Sequence, residues 1–208
     1  MGFDTAGRLS APRGHTTGAG QAIRAFLCVY MSEDGMDEIA SFIGGLKKFT
    51  GFKWAARDTL HITLKFLGEA EPEQITRLDT NLSRIGGIRP FKVAMSDVGA
   101  FPNLSLPAAL WIGVGEGSTE LSKLAVSVDK AAVVSGFEKE RRTFHPHLTL
   151  ARARNNSRTG VRARMPDELA EMLKSCPRPS WTCDSFTLMQ SELSPDGPNY
   201  TPIAVFSL

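Results

Sequence analysis

A four-residue motif, His-x-Thr-Leu, occurs twice in the chain, at residues 61–64 and again 86 residues later at 147–150. Before each copy, a β-rich run is followed by an amphipathic helical pattern. A duplicated strand–helix–strand unit predicts two similar lobes related by a pseudo-twofold axis. If the axis runs between the two strands that carry the motif, both histidines face one central cleft.

Hydrophobic periodicity supplies the elements of this duplicated frame. Alternating or continuous apolar runs predict strands, and apolar residues three and four positions apart predict helices. The predicted strands lie at residues 23–31, 60–67, 91–98, 109–114, 143–151, 185–193 and 202–208. The predicted helices lie within 32–49 and 69–85, at 118–134, and in a short segment that begins at Pro166. We therefore expect a bilobal α+β fold with two mostly antiparallel sheets, helices on their outer faces and a central cleft.

Length and composition indicate the domain organisation. The chain has 208 residues, 42% of them hydrophobic and 22% charged, which suits one bilobal domain over residues 22–208. Residues 1–21 are rich in Gly, Thr and Ala without the apolar segment of a signal peptide, so we interpret them as a disordered leader. The formal net charge is only +2, so nucleic-acid binding would require a local basic patch.

The cysteines and the apolar runs indicate the compartment. The three cysteines form no C-x-x-C pair, which argues against a disulfide framework and a zinc knuckle. No apolar run approaches the roughly 20 residues that a membrane span needs. We expect a cytoplasmic protein that is a monomer and has no membrane partner.

The chemistry of the motif follows from the alternation of side chains along a strand. The His and Thr of each copy point to one face, while the intervening apolar residue and the Leu point into the core. Of two imidazoles in one cleft, one can be neutral and accept a proton while the other is charged and donates one. His61 and His147 are therefore a candidate acid/base pair for displacement at phosphorus, with the hydroxyls of Thr63 and Thr149 donating to phosphoryl oxygens.

Other interpretations of the histidines stay open at this point. A lone histidine between apolar residues is usually structural, although repetition within a duplicated frame weakens that reading. His145 and His147 have a zinc-ligand spacing, so a zinc hydrolase that uses both with His61 is one alternative. No nearby Asp, Glu or Cys completes such a set, and the threonines would be left without a role.

Arginines follow the second motif. The guanidinium of Arg152 could bind phosphate oxygens in a fork, or could simply be exposed at a strand end. Arg154, Arg158 and Arg162 belong to a basic loop that is a candidate RNA contact, with a merely solvated loop as the alternative. A non-catalytic RNA-binding module that uses this loop is a further alternative. Aromatic candidates for stacking on a base are Phe26, Trp54, Phe144 and Tyr200.

The two motifs and the segments around them resemble the 2H phosphoesterase superfamily, and within it the RNA 2′,3′-cyclic phosphodiesterase branch, also called 2′-5′ RNA ligase. The similar segments are RAFLCVYM, KWAARDTLHITLKFLGEA, GAFPNLSLPAALWIGVGEG, FHPHLTLARAR and FTLMQSELSPDGPNYTPIAVFSL. They span most of the chain from Arg24 onward. In that family an arginine follows the second motif on the same segment, and Arg152 matches it.

The resemblance implies a bilobal α+β fold, no metal or other cofactor, and hydrolysis of an RNA 2′,3′-cyclic phosphate end to a 2′-phosphomonoester. It also implies a reversible, ATP-independent 2′-5′ joining of RNA. By the same resemblance, His61 is the proton donor to O3′ and His147 is the base that activates water. A related phosphodiesterase acting on a small cyclic nucleotide or on an ADP-ribose cyclic phosphate is the alternative within this fold.

Overall fold

The computed structural model describes residues 21–154, 164–194 and 197–208. Within these ranges it contains nine strands and four α-helices. The strands are β1 Ile23–Val29, β2 Phe52–Trp54, β3 Ile62–Ala70, β4 Phe91–Phe101, β5 Ala109–Val114, β6 His147–Ala153, β7 Ser180–Cys183, β8 Ser185–Ser194 and β9 Gly197–Ser207. The helices are α1 Glu33–Leu46, α2 Pro72–Leu82, α3 Ser118–Val134 and α4 Asp167–Leu173. The leader predicted for residues 1–21 lies outside the described residues, apart from Gln21.

The strands form one sheet in the order β7-β4-β5-β6-β3-β1-β8-β9, and β2 pairs with the end of β6. Every recorded strand pair is antiparallel. The sheet has two halves, β7-β4-β5-β6 and β3-β1-β8-β9, which meet where Ile62 of β3 pairs with Leu148 of β6. The α+β class and the antiparallel pairing are confirmed. The two predicted sheets correspond to these halves, which the pairing of β3 with β6 joins into one sheet.

The apolar stripes of the helices pack against one face of the sheet. Helix α1 follows Ser32, whose Oγ accepts a hydrogen bond from the Gly35 N–H at 3.3 Å. Its Ile39, Ile43 and Leu46 are buried against the core. Burial of each such side chain stabilises the fold by about 1.5–3 kcal/mol relative to an exposed position. This packing leaves the opposite face of the central strands available for a site.

The bounds of several elements agree with the sequence prediction, and those of one functional strand do not. Strand β5 and helix α3 have the predicted bounds. The strand predicted over 143–151 begins only at His147. Pro146 has no N–H to contribute to a strand ladder, and its carbonyl accepts from the Val114 N–H at 3.3 Å. The segment before His147 is therefore irregular.

Three further elements differ from the sequence prediction. Strands β2 and β7 were not predicted, because runs of three and four residues are too short to show a period. The helix predicted to begin at Pro166 begins at Asp167, with Pro166 as its N-cap. In the part of the chain that the structure describes, no helix has the length and apolar character to cross a membrane.

Candidate active site

The pairing of Ile62 with Leu148 brings the two motifs side by side. Both side chains are buried in the core, so the residues on either side of them project from the opposite face of the sheet. These flanking residues are His61, Thr63, His147 and Thr149. Continuing the antiparallel register sets His61 beside Thr149 and Thr63 beside His147. We call the line through Ile62 and Leu148, where the two halves meet, the seam. The candidate site lies across it.

A β-bulge on β6 brings Arg152 to the same face. Leu110 of β5 pairs with Ala151, but the next residue, Trp111, pairs with Thr149, so Leu150 is an extra residue. Strict alternation would point Arg152 into the core together with Leu150. Because the bulge buries Leu150 and Ala151 in succession, Arg152 instead shares the face of Thr149 and is exposed.

Strand β3 has a bulge at the equivalent position of the first motif. Leu27 of β1 pairs with Lys65 while Cys28 pairs with Thr63, so Leu64 is the extra residue. Leu64 and Lys65 are both buried, and the side chain of Phe66 is 58% exposed. Phe66 thus occupies the position that Arg152 occupies in the second motif.

A backbone carbonyl orients the ring of His147. Its Nδ1 lies 2.6 Å from the carbonyl oxygen of His145. A carbonyl can only accept, so Nδ1 carries the proton and the neutral ring has its lone pair on Nε2. Burial lowers the pKa of His147, the bond to His145 opposes this, and the positive charge of Arg152 lowers it further. A ring in this state accepts a proton at Nε2.

Aromatic rings surround His61. The ring centroids of Phe26, Tyr30 and Tyr200 lie 4.9, 6.2 and 5.3 Å from that of His61. Burial lowers the pKa of His61 to about 4, against the raising effect of the Thr59 backbone, and the charges of Arg152 and His147 add to the lowering. The buried Nδ1 makes no hydrogen bond of regular geometry to the described residues.

The 3₁₀ turn Arg57–Thr59 leads the chain to His61. The Arg57 guanidinium donates to Glu33 Oε2 at 2.6 Å and also to Asp37, which ties this turn to the first turns of α1. The Thr59 Oγ1 donates to the Ala56 carbonyl at 2.7 Å. These bonds fix the backbone immediately before the histidine.

The site carries positive charge and unpaired hydroxyls. Arg152 lowers the pKa of His61, His147 and Tyr200, so its guanidinium is within electrostatic range of all three side chains. Thr63 and Thr149 are partly buried, and neither hydroxyl is hydrogen-bonded within the described ranges. Such an arrangement suits a singly charged phosphate, with hydrogen bonds from the threonines and a forked contact from the arginine.

Trp111 and Phe101 form the wall of the site beside His147. Their ring centroids lie 6.0 and 5.2 Å from the imidazole. The Trp111 ring lies across Gly99 on β4, where a Cβ would come within 2.2 Å of the ring. A glycine is thus required for this close approach. Alternation along β5 places Trp111 opposite the buried Leu110, but only the pairing of β5 with β6 shows that it meets His147.

The four aromatic candidates from the sequence separate into two groups. Phe26 and Tyr200 contact His61 and each other, with ring centroids 4.9 Å apart. Trp54 packs on Phe52 and donates from Nε1 to a backbone carbonyl, and Phe144 packs against the main core. Tyr30, Phe101 and Trp111 also line the site and were not among the candidates.

The other residues predicted from the sequence, His145 and the arginines after Arg152, contribute little to the described site. His145 reaches His147 through its backbone carbonyl. Among the residues described, no cluster of three or more His, Cys, Asp or Glu side chains is arranged to hold a metal ion. Arg154 is exposed at the end of β6 and its N–H donates to the Gly51 carbonyl. Arg158 and Arg162 lie outside the described residues.

Comparison with known proteins adds sequence and fold relatives. A model of the 2′-5′ RNA ligase superfamily matches residues 36–195, which include both motifs. Proteins named RNA 2′,3′-cyclic phosphodiesterase from Archaeoglobus fulgidus and Methanothermobacter thermautotrophicus are 33% and 34% identical, over 88% and 89% of this chain and 99% of each relative. The crystal structure of Escherichia coli LigT complexed with 3′-AMP aligns with a TM-score of 0.71 and 26% identity, over 90% of this chain and 99% of LigT. TT0787 of Thermus thermophilus aligns with a TM-score of 0.69 and 27% identity, over 89% of this chain and 98% of its own.

Proposed function

Because the chain belongs to the 2′-5′ RNA ligase superfamily, we propose that it hydrolyses RNA 2′,3′-cyclic phosphate ends to 2′-phosphomonoesters by two-histidine acid/base catalysis. The observation that carries the proposal is the pairing of Ile62 with Leu148 across the seam. It brings together two imidazoles and two hydroxyls, and the bulge after the second motif adds a guanidinium. Relatives of similar length that are named for this activity support the same substrate.

In this proposal the cyclic phosphate binds between the two motifs. Arg152 forms a forked contact with two of its oxygens, and Thr63 and Thr149 donate to the non-bridging oxygens. These donors stay in place as negative charge accumulates on the phosphorane oxygens, so they stabilise the transition state as well as the bound substrate.

His147 is the proposed general base. The carbonyl of His145 holds its Nδ1–H, so Nε2 takes a proton from water while the water oxygen attacks phosphorus. The P–O3′ bond breaks on the far side, and His61 donates its proton to O3′. The products are a 2′-phosphomonoester and a free 3′-hydroxyl, and a second proton exchange with solvent restores both rings.

His61 must be protonated for this step, although in the free protein its pKa is lowered to about 4. Burial is the main cause of that lowering, and the positive charge of Arg152 adds to it; a bound phosphate anion counters the effect of Arg152. Substrate binding is therefore expected to raise the pKa of His61. The ring then becomes protonated only when a leaving group is present to receive the proton.

The same geometry supports ligation. If an RNA 5′-hydroxyl takes the place of water, His147 accepts its proton, O3′ leaves as before, and the new linkage is 2′-5′. No nucleotide cofactor is needed, because the cyclic diester already holds the phosphorus in activated form.

The test is incubation with a short RNA that ends in a 2′,3′-cyclic phosphate, followed by assignment of the product's phosphate position. We expect a 2′-phosphate, with turnover unaffected by EDTA and lost in both His61→Ala and His147→Ala. A 3′-phosphate product, or a loss of turnover with EDTA that zinc restores, would contradict the mechanism. Turnover of an ADP-ribose cyclic phosphate without turnover of RNA would contradict the substrate.

A further inference from the structure

A cavity of about 450 Å³ lies along β3 beyond the first motif. The walls are formed by residues 65–68 of β3 and by the loop of residues 137–142 that follows α3. Its volume is within the roughly 300–1,000 Å³ range of small-ligand pockets. We call it the β3 groove.

A buried cation holds the two walls of the groove together. Lys65, which the bulge on β3 turns into the interior, donates from Nζ to Asp129 of α3 at 2.7 Å and to the Glu138 carbonyl at 2.8 Å. The same Asp129 carboxylate accepts from the Glu140 N–H at 3.0 Å. Because these bonds tie the loop to α3 and β3, the groove is built before any ligand arrives.

The groove is linked to the aromatic rings around His61 through Phe66. The exposed ring of Phe66 lines the groove and lies 6.2 Å from the ring of Phe26. Phe26 in turn lies 4.9 Å from the ring of His61. Two successive ring contacts therefore lead from the groove to the proposed acid.

The loop has three basic side chains, Lys139, Arg141 and Arg142, against the acidic Glu138 and Glu140, so its formal net charge is +1. Arg142 is neutralised by Glu140, to which its Nε and Nη2 donate, and this pairing lowers the pKa of Glu140 to about 2. Arg141 is exposed and has no ion pair with the residues described. An exposed aromatic ring and an exposed guanidinium that line one groove can bind a single-stranded nucleotide through its base and its phosphate.

We propose that the β3 groove binds the nucleotide that precedes the cyclic phosphate end of the RNA. Phe66 stacks on its base and Arg141 neutralises its phosphate. This inference rests on the proposed function. It adds to that function a binding site for a second nucleotide, next to the terminal one. A substrate of at least two nucleotides then uses contacts that a cyclic mononucleotide cannot reach.

The test compares kcat/KM on a cyclic mononucleotide with kcat/KM on a dinucleotide that ends in the same 2′,3′-cyclic phosphate. The unaltered protein is expected to prefer the dinucleotide by about tenfold or more, since base stacking on an aromatic ring commonly gives such a factor. Phe66→Ala should abolish most of that preference, and Phe66→Trp should keep it. Arg141→Ala should also reduce it, and should make dinucleotide binding less sensitive to salt.

Arg178→Ala is a control for the loss of a positive charge far from the groove; Arg178 pairs with Asp97 at 2.6 Å. The substitution removes an exposed arginine beside β7, at the far edge of the sheet from β3, and should leave the preference unchanged. Equal activity of the unaltered protein on both substrates would overturn the inference. So would equal losses on both substrates in Phe66→Ala, since that ring would then act only through Phe26. Absence of turnover on both substrates would instead overturn the proposed function, and the inference with it.

Discussion

At the scale of single residues, the two histidines have the same motif but different surroundings. His147 has a carbonyl on Nδ1 and is thereby set to accept a proton at Nε2. His61 has aromatic neighbours and no regular hydrogen bond on its buried Nδ1 within the described ranges. The protonated form of His61 is poorly stabilised in the free protein. Once a bound phosphate has promoted protonation of the ring, His61 readily donates that proton to the leaving oxygen. These surroundings support the assignment of base and acid.

The leaving group tests that assignment. A diester that releases p-nitrophenolate needs little protonation, whereas O3′ of RNA needs it fully. His61→Ala should lower kcat on the RNA substrate by roughly 10²–10⁴-fold and on the p-nitrophenyl ester by less than about tenfold. His147→Ala should be crippled on both substrates, because water must be activated in either case. Steady-state rates of the two variants on the two substrates give the answer, and the opposite pattern would mean that the roles are reversed.

At the scale of elements, the packing of β4 against β5 holds the ring that contacts His147, the proposed base. The Trp111 ring needs the space above Gly99, and His147 packs against that ring. Gly99→Ala would put a methyl group within 2.2 Å of the indole, so the ring must move. Overpacking of this kind typically costs about 1–3 kcal/mol in the free energy of unfolding.

We therefore expect Gly99→Ala to lower the midpoint of urea unfolding and to reduce kcat. Gly115→Ala is the matched control at the end of the same strand pair, because its Cβ would meet Ser96 Cβ at an ordinary 3.5 Å. Urea unfolding midpoints and kcat values of the two variants test this expectation. Equal behaviour of the two would show that the indole is free to shift without consequence.

The bulges explain which parts of the site could be predicted from the sequence. His61, Thr63, His147 and Thr149 could be proposed because the motif repeats, and alternation over three residues predicts that they share a face. Beyond each bulge, strict alternation predicts the opposite face of the sheet from the one that each side chain occupies. It would put Lys65 on the face of His61, where the structure instead buries it against Asp129.

The sequence also gives little information about which side chains from other strands contact the two motifs. Helix α3 was predicted to the residue because its apolar stripe spans several turns. The contacts of Trp111 and Tyr200 with the histidines depend on which strands are neighbours, and no local period carries that information. A short segment such as β7 is positioned by its pairing with β4 rather than by its own composition.

At the scale of the whole molecule, the histidines link stability to pH. Burial lowers the pKa of His61 to about 4 and also lowers that of His147, whereas an unfolded histidine titrates near 6.5. Above pH 6.5 both states hold neutral rings. As the pH falls below 6.5, the unfolded chain takes up protons that the folded chain resists, so the free energy of unfolding falls until the pH reaches the folded pKa.

We expect His61 to account for about 1–2 kcal/mol of lost stability between pH 7.5 and pH 5 in the free protein. His61→Gln removes this titration, and the variant should therefore lose less stability than the unaltered protein over the same interval. Urea unfolding of both proteins at the two pH values measures the difference, and the carboxylates common to both cancel in the comparison. Identical pH dependence would show that His61 titrates normally in the fold.

Among the described residues, β3 and β6 form their one ladder pair at Ile62 and Leu148, and the aromatic neighbours of each histidine come from its own half. The rings beside His61 follow from β1 and β9, and those beside His147 from β4 and β5. Each copy of the duplicated unit can therefore accumulate substitutions as a separate module. Under the proposed function, the half with His61 can adapt to a different RNA terminus while the half with the proposed base, His147, is unchanged. The spacing between the proposed acid and base depends on the backbone at the seam rather than on either set of surrounding rings.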